Sequence, residues 1–243
     1  MTDAADLHFY FDPVCPFAWI TSKWVRSVVR QRSYSVDWRF ISLRIVNRER
    51  DYATDFPPDY EHGHTAGLRL LRVAAAVRAE VGRAAVGDYY AAAGAALFDV
   101  ARPTKEERRA DHLFRGTVEH ARGILAGAGL PQTLAGAVDD TSFDEVIVAE
   151  TDEALSSTGR DVGTPIITFR PPDGPSFFGP VISAVPSDAD AVALWDSVIY
   201  LATFPGFAEL KRSLRERLRL RALGWEPGDE DATDDWRAGR VAR

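Results

Sequence analysis

Leu7-His8-Phe9-Tyr10-Phe11-Asp12-Pro13-Val14-Cys15-Pro16-Phe17-Ala18-Trp19 is the stretch on which the fold turns. Residues 7–12 are aromatic and apolar and stop at Pro13, as a buried strand does. Pro16 comes directly after the only cysteine of the chain. Proline suits the first helical position, because the N–H it lacks would have no partner there. Trp24 and Val28 lie four apart on the C-terminal side of Pro16, and a helix is expected from about Pro16 to Gln31. Cys15 therefore stands where a strand gives way to a helix.

Working outward, residues 34–41 alternate and make a second strand. Strand, helix and strand in this order form a βαβ unit with a right-handed crossover and a parallel pair. Asn47 to His64 reads as a loop, with Pro57-Pro58 marking turns. From Thr65 the chain turns helical, with Leu68, Leu71, Val77 and Val81 on one face. Further helices are expected over about 89–100, 108–126, 131–138 and 142–156. Strand character returns at 162–169, then the turn signal Pro171-Pro172-Asp173-Gly174 and a returning strand at 176–180. A helix is expected over 188–202 and another over 207–223, where the arginines would form a solvated face. Residues 228–243 are acidic, poor in apolar residues and expected to be loose. A sheet protein of the α/β class with an all-helical insertion fits this order.

The 243 residues carry a formal charge of −7, which argues against an electrostatic nucleic-acid binder. A single cysteine leaves no internal disulfide and no cysteine-rich zinc or iron–sulfur site. The first residues are acidic and polar, so no secretory leader is expected. No apolar run approaches the roughly 20 residues needed to cross a bilayer, so no membrane role is expected. A reducing cytoplasm is the expected location. The sequence is silent on oligomeric state.

A cysteine capping a helix N-terminus meets free N–H groups and a partial positive charge. Such sites lower a thiol pKa from about 8.5 into the range of about 3.5–7.5, and the thiolate is the nucleophile. Asp12 would oppose this if its carboxylate faced the sulfur. Thr164-Pro165, opening the third strand, would expose the Thr164 backbone beside the cysteine if the bond were cis. Those groups could pair with a bound thiol compound in a short strand-like contact. Phe17, Trp19 and Trp24 are aromatic neighbours that would either line an apolar pocket or fill the core. Glu61-His62-Gly63-His64 reads as surface, and no metal is expected there. Asp139-Asp140 reads as a loop or helix cap.

Phe11 to Trp19 together with Thr164-Pro165 resembles the DsbA-like branch of the thioredoxin superfamily. The resemblance is closer still to the mycothiol-dependent reductases of actinobacteria, sometimes described as nitroreductases. It runs through Cys15-Pro16, Trp19-Ile20-Thr21-Ser22, Ser42-Leu43, Asp161 to Pro165, Phe177-Phe178-Gly179-Pro180, Leu194-Trp195-Asp196 and Glu209 to Arg212. It implies a thioredoxin-like fold with an inserted all-helical domain. The implied parts are residues 1–56 and 159–225 for the thioredoxin halves, 57–158 for the insertion and 226–243 for an acidic tail. It also implies a catalytic Cys15, with Pro16, Phe17, Ala18, Trp19, Thr164 and Pro165 around the substrate.

The family's Cys-Pro-Trp-Cys is here Cys15-Pro16-Phe17-Ala18, so the resolving cysteine is missing. What carries over is a monothiol oxidoreductase. Its substrates would be small thiols and disulfides. Its co-substrate would be mycothiol or another low-molecular-weight thiol, with no tightly bound cofactor. The kappa-class glutathione transferases share the architecture and work without a cysteine pair, so transferase or isomerase chemistry stays open. A third reading is a non-catalytic binding protein that lost its redox function. That reading expects a sulfur buried among apolar groups, with a normal or raised pKa.

Overall fold

A computed structural model describes residues 5–211, 214–229 and 233–235. Strand β1 (Leu7–Phe11) leads into helix α1 (Pro16–Gln31), which returns to β2 (Val36–Phe40). β1 and β2 run parallel, with Leu7 opposite Val36 and Phe11 opposite Phe40. Between β2 and β3 lie α2 (Leu43–Val46), α3 (Tyr52–Asp55), α4 (Tyr60–Glu80), α5 (Arg83–Phe98), α6 (Lys105–Phe114), α7 (Val118–Gly127) and α8 (Asp144–Thr158). β3 (Ile166–Phe169) lies antiparallel to β1, and β4 (Ser176–Phe178) antiparallel to β3. Helix α9 (Asp188–Thr203) comes next. The sheet order β2-β1-β3-β4, with β1 and β3 central, is the thioredoxin-like arrangement with a helical insertion.

The inserted helices share the core of the sheet. Phe9 and Phe11 of β1, Trp38 of β2, Trp19 of α1 and Tyr90 of α5 are buried in one cluster. Tyr90 stacks on Phe11 at 3.9 Å between ring centroids. α5 comes this close because it carries glycine where it meets α1. A Cβ on Gly94 would lie 2.1 Å from the Trp19 ring. That ring is buried and its Nε1–H donates to Asp99 at 3.1 Å, so it has little room to move. Gly94→Ala is expected to lose about 1–3 kcal/mol by overpacking, despite the better helix propensity of alanine. A urea titration reads this, and an unchanged midpoint would refute it.

Four expectations from the sequence need correction. Residues 108–126 are two helices, with α6 ending at Phe114 and Thr117 capping α7 by accepting from the His120 N–H. The 131–138 segment is a 3-10 helix, Gln132–Asp139. The loop over 47–64 contains α3 and the first turn of α4. The α-helix expected over 207–223 does not form in its described residues: 207–211 are not helical, Leu214–Glu216 form β5, antiparallel to β6 (Thr233–Asp235), and only the 3-10 turn Arg221–Leu223 is helical. Arginines three and four apart repel one another on a helix, whereas Leu218-Arg219-Leu220 alternates as extended chain does. Of the tail, Asp229 donates its N–H to the Glu226 carbonyl in a turn and 233–235 form β6; residues 230–232 and 236–243 lie outside the described residues.

Candidate active site

Cys15 caps α1 from an extended backbone, with Pro16 next to it at the helix start. The Ala18 N–H donates to Cys15 Sγ at 3.5 Å, and the thiol donates to the Thr164 carbonyl at 3.4 Å. Thr164 is held in turn by its own hydroxyl, which donates to the Tyr10 carbonyl of β1 at 3.0 Å. The Thr164–Pro165 peptide is cis, as is Gly179–Pro180. Gly179 N–H donates to the Pro165 carbonyl at 2.8 Å, and the Thr21 hydroxyl of α1 donates to the Pro180 carbonyl at 2.8 Å. The start of β3 and the first turn of α1 thus meet at the sulfur, and the chain after β4 is tied to both.

Of the residues singled out by sequence, the structure brings Cys15, Pro16, Ala18, Thr164 and Pro165 together. Pro16 and Phe17 are half-buried; Ala18, Thr164 and Pro165 are buried. Trp19 packs against Gly94 and Tyr90 and donates to Asp99, so it belongs to the α1–α5 contact. Trp24 is also core, donating to the Ala191 carbonyl of α9 at 2.9 Å. His64 and His62 face different partners: His64 Nδ1 meets the Tyr52 hydroxyl at 2.9 Å, and His62 Nε2 meets the His112 carbonyl at 2.9 Å. Among the described residues no group of three His, Cys, Asp or Glu is placed to hold a metal.

The electrostatics of the thiol differ from the sequence expectation. Cys15 is only 5% exposed. Burial pushes its thiol up to about 12 and Asp12 adds to this, while the Ala18 and Phe17 N–H groups pull in the opposite direction. The helix terminus is present as expected, but loss of water outweighs it. In this conformation Cys15 is a neutral thiol.

The model of the Rv2466c-like family, described as mycothiol-dependent nitroreductase Rv2466c, matches residues 14–212. The chain belongs to this family. The family is one of thiol-dependent oxidoreductases, and the match takes in Cys15, Thr164 and Pro165. A similar protein is "Uncharacterized protein Rv2286c" of Mycobacterium tuberculosis (strain ATCC 25618 / H37Rv), 29% identical over 208 residues, 84% of this chain and 80% of that protein. Among solved structures, a candidate protein-disulfide isomerase from Pseudomonas syringae aligns with a TM-score of 0.46 at 16% identity, over 79% of this chain and 92% of that one. No helix among the described residues is long and apolar enough to cross a membrane.

Within this Rv2466c-like site two residues carry more than their sequence context suggested. Asp12 is fully buried, accepting from the Val14 N–H at 3.0 Å and from the Leu43 N–H at 2.7 Å. Helix α4 seals it: a Cβ on Gly67 would lie 2.5 Å from Asp12 Oδ1. Burial raises its carboxyl to about 7, against the pull of those two N–H groups. An acid ending an otherwise apolar strand was the available signal. Tyr90, buried against Phe11, has its hydroxyl held neutral by burial, and an ionised Cys15 would push it further up. Nothing in the α5 sequence distinguishes it from an ordinary core tyrosine.

Proposed function

We propose that this chain is a monothiol oxidoreductase whose Cys15 exchanges with small disulfides, with mycothiol or a thiol of that class as co-substrate. The observation that carries the reading is the placing of Cys15 Sγ at the α1 terminus, 3.4 Å from the Thr164 carbonyl beside Pro165. A disulfide laid along Thr164 would find backbone partners there and the sulfur in line. The Cys15 thiolate attacks one sulfur of the disulfide, forming a mixed disulfide and releasing the other half as a thiolate. A second small thiol attacks the mixed disulfide and frees Cys15, so no second protein cysteine is needed.

The buried state sets the pace. A thiol at about 12 is ionised in only about one molecule in 10⁵ at pH 7. Adduct formation should therefore rise steeply with pH and depend on any motion that admits water. Incubation with the oxidised disulfide of mycothiol, then intact-mass analysis, tests this. One adduct on Cys15 is expected, reversed by free thiol and absent in Cys15→Ser. No adduct at pH 7 to 9, where free cysteine reacts, would refute the reading. The raised thiol pKa favours a second reading, a non-catalytic protein that binds its partner without exchange. That reading predicts no adduct in either form and ligand binding unchanged in Cys15→Ser.

A further inference from the structure

Helix α5 carries Gly87, Tyr90 and Gly94 three and four residues apart, on one buried face. A Cβ on Gly87 would lie 2.8 Å from Trp38 Nε1, and one on Gly94 would lie 2.1 Å from the Trp19 ring, so the helix backbone is close against both rings. Tyr90 is set between them. Its ring lies flat on Phe11, with Trp38 edge-on at 5.5 Å and Trp19 edge-on at 5.8 Å between centroids. Held on three sides, the ring fixes where its hydroxyl goes. That hydroxyl is fully buried and makes no hydrogen bond among the described residues. Leaving a buried hydroxyl unpaired is destabilising, and phenylalanine would fill the same space without that cost.

The surroundings of the hydroxyl are those of the sulfur. A charge on Cys15 or on Asp12 acts on it, Arg26 acts in the opposite sense, and Ser22 lies beside it. Cys15, Ala18 and Ser22 stand three and four apart on α1, so they share one face of that helix. The Ser22 hydroxyl is already engaged, donating to the Trp19 carbonyl at 2.7 Å. Arg26 donates to the Gly87 carbonyl at 2.7 Å and lies over the Trp38 ring at 4.2 Å, with Asp88 of α5 as its acidic neighbour. From α4 the residue against Asp12 is Gly67, and from the start of β3 the group at the sulfur is the Thr164 carbonyl. The sulfur needs what the hydroxyl has to offer. As a thiol, Cys15 gives its hydrogen to Thr164. As a thiolate it loses that bond and keeps the Ala18 and Phe17 N–H groups. An unused donor stands in the same cluster.

We propose that Tyr90 is a catalytic residue, whose hydroxyl donates a hydrogen bond to the Cys15 sulfur when the thiol ionises. The Cys15 proton goes to a base in solution, the Tyr90 proton stays on its own oxygen, and no covalent bond changes at the tyrosine. The proposal rests on the oxidoreductase reading for its purpose, but its test needs no disulfide. Because Cys15 is the only cysteine, alkylation of the full chain by iodoacetamide reports on one sulfur. Tyr90→Phe keeps the ring and removes the unpaired hydroxyl, so the urea midpoint should hold or rise. Alkylation between pH 7 and 9 should nevertheless be about three- to tenfold slower than in the parent at each pH, since fewer thiolates outweigh the higher nucleophilicity of each. A loosened core would speed the reaction instead. A tightened core would slow it through lessened access, and would slow hydrogen exchange at the Ala18 and Trp19 amides in parallel. Those amides should exchange within about twofold of the parent. Unchanged or faster alkylation would overturn the proposal, and so would slower alkylation matched by equally slower exchange. A lower urea midpoint would overturn it too, because the hydroxyl would then already have a partner beside the neutral thiol. Failure of the parent chain to form the mycothiol adduct, with the alkylation difference intact, would instead count against the oxidoreductase reading alone.

Discussion

Glu150→Ala is expected to destabilise the protein by about 3–5 kcal/mol, seen as a lower urea midpoint with little change in slope. Glu150 lies on α8 and is only 4% exposed. Its Oε1 accepts from Arg78 of α4 at 2.7 Å and from Arg39 of β2 at 3.2 Å. Its Oε2 accepts from the Phe40 N–H at 2.8 Å. Arg78 also lies over the Phe40 ring, 4.2 Å from its centroid. Removing the carboxylate strands two largely buried guanidinium groups and a buried N–H together. Arg39 keeps Glu153 as a partner at 2.8 Å, which limits the loss on its side. Glu150→Gln should fall between, because the amide oxygen can still accept from Phe40 while the charge is gone. A loss under about 1 kcal/mol for the alanine variant would show that the cluster relaxes and water enters. The consequence reaches the site, because Phe40 pairs with Phe11 and Leu43, three residues on, holds Asp12.

The first third of the fold was legible because its signals are local. β1, α1 and β2 need only an apolar run, a proline at the helix start and alternation. The pairing of Cys15 with Thr164 was only suggested by the Thr164-Pro165 signal and needed the resemblance beside it, since the contact joins residues 149 apart. The state of the thiol was not legible. A helix terminus is written in the residues beside Cys15, but the burial that overrides it is supplied by distant segments. Trp19 illustrates the same limit. Beside a cysteine it reads as a pocket wall, and only Gly94 of α5 and Asp99 just beyond its end turn it into a core residue. The arginine-rich stretch after 207 reads as a helix face by composition. Its extended course comes from a backbone partner, Ser183, that no local pattern announces.

Asp12→Asn is expected to remove a pH dependence of stability that the parent chain shows between about pH 4 and pH 7. Asp12 titrates at about 7 in the folded protein because burial disfavours its charge. An unfolded aspartate titrates near 3.9. Between these values the folded state holds a proton that the unfolded state has released. Stability therefore falls as pH rises through this window and levels off above about 7. At about 1.4 kcal/mol per decade of proton affinity, the span is on the order of 4 kcal/mol. The asparagine has no charge to bury, so urea titrations from pH 4 to 8 should show a flatter profile than the parent. It has one acceptor oxygen for two N–H groups, from Val14 and Leu43, which costs about 1–3 kcal/mol at every pH without altering the slope. The difference in slope isolates the carboxyl from other titrating groups. The same substitution acts on the sulfur, because Asp12 is one of the two influences that raise the Cys15 thiol. Burial, the larger, remains, so the alkylation profile of Cys15 should move to lower pH without reaching that of a free thiol. Equal slopes in the two proteins would mean that Asp12 is hydrated and ionised throughout. An unmoved alkylation profile beside a flattened stability profile would mean that the carboxyl and the sulfur do not sense each other.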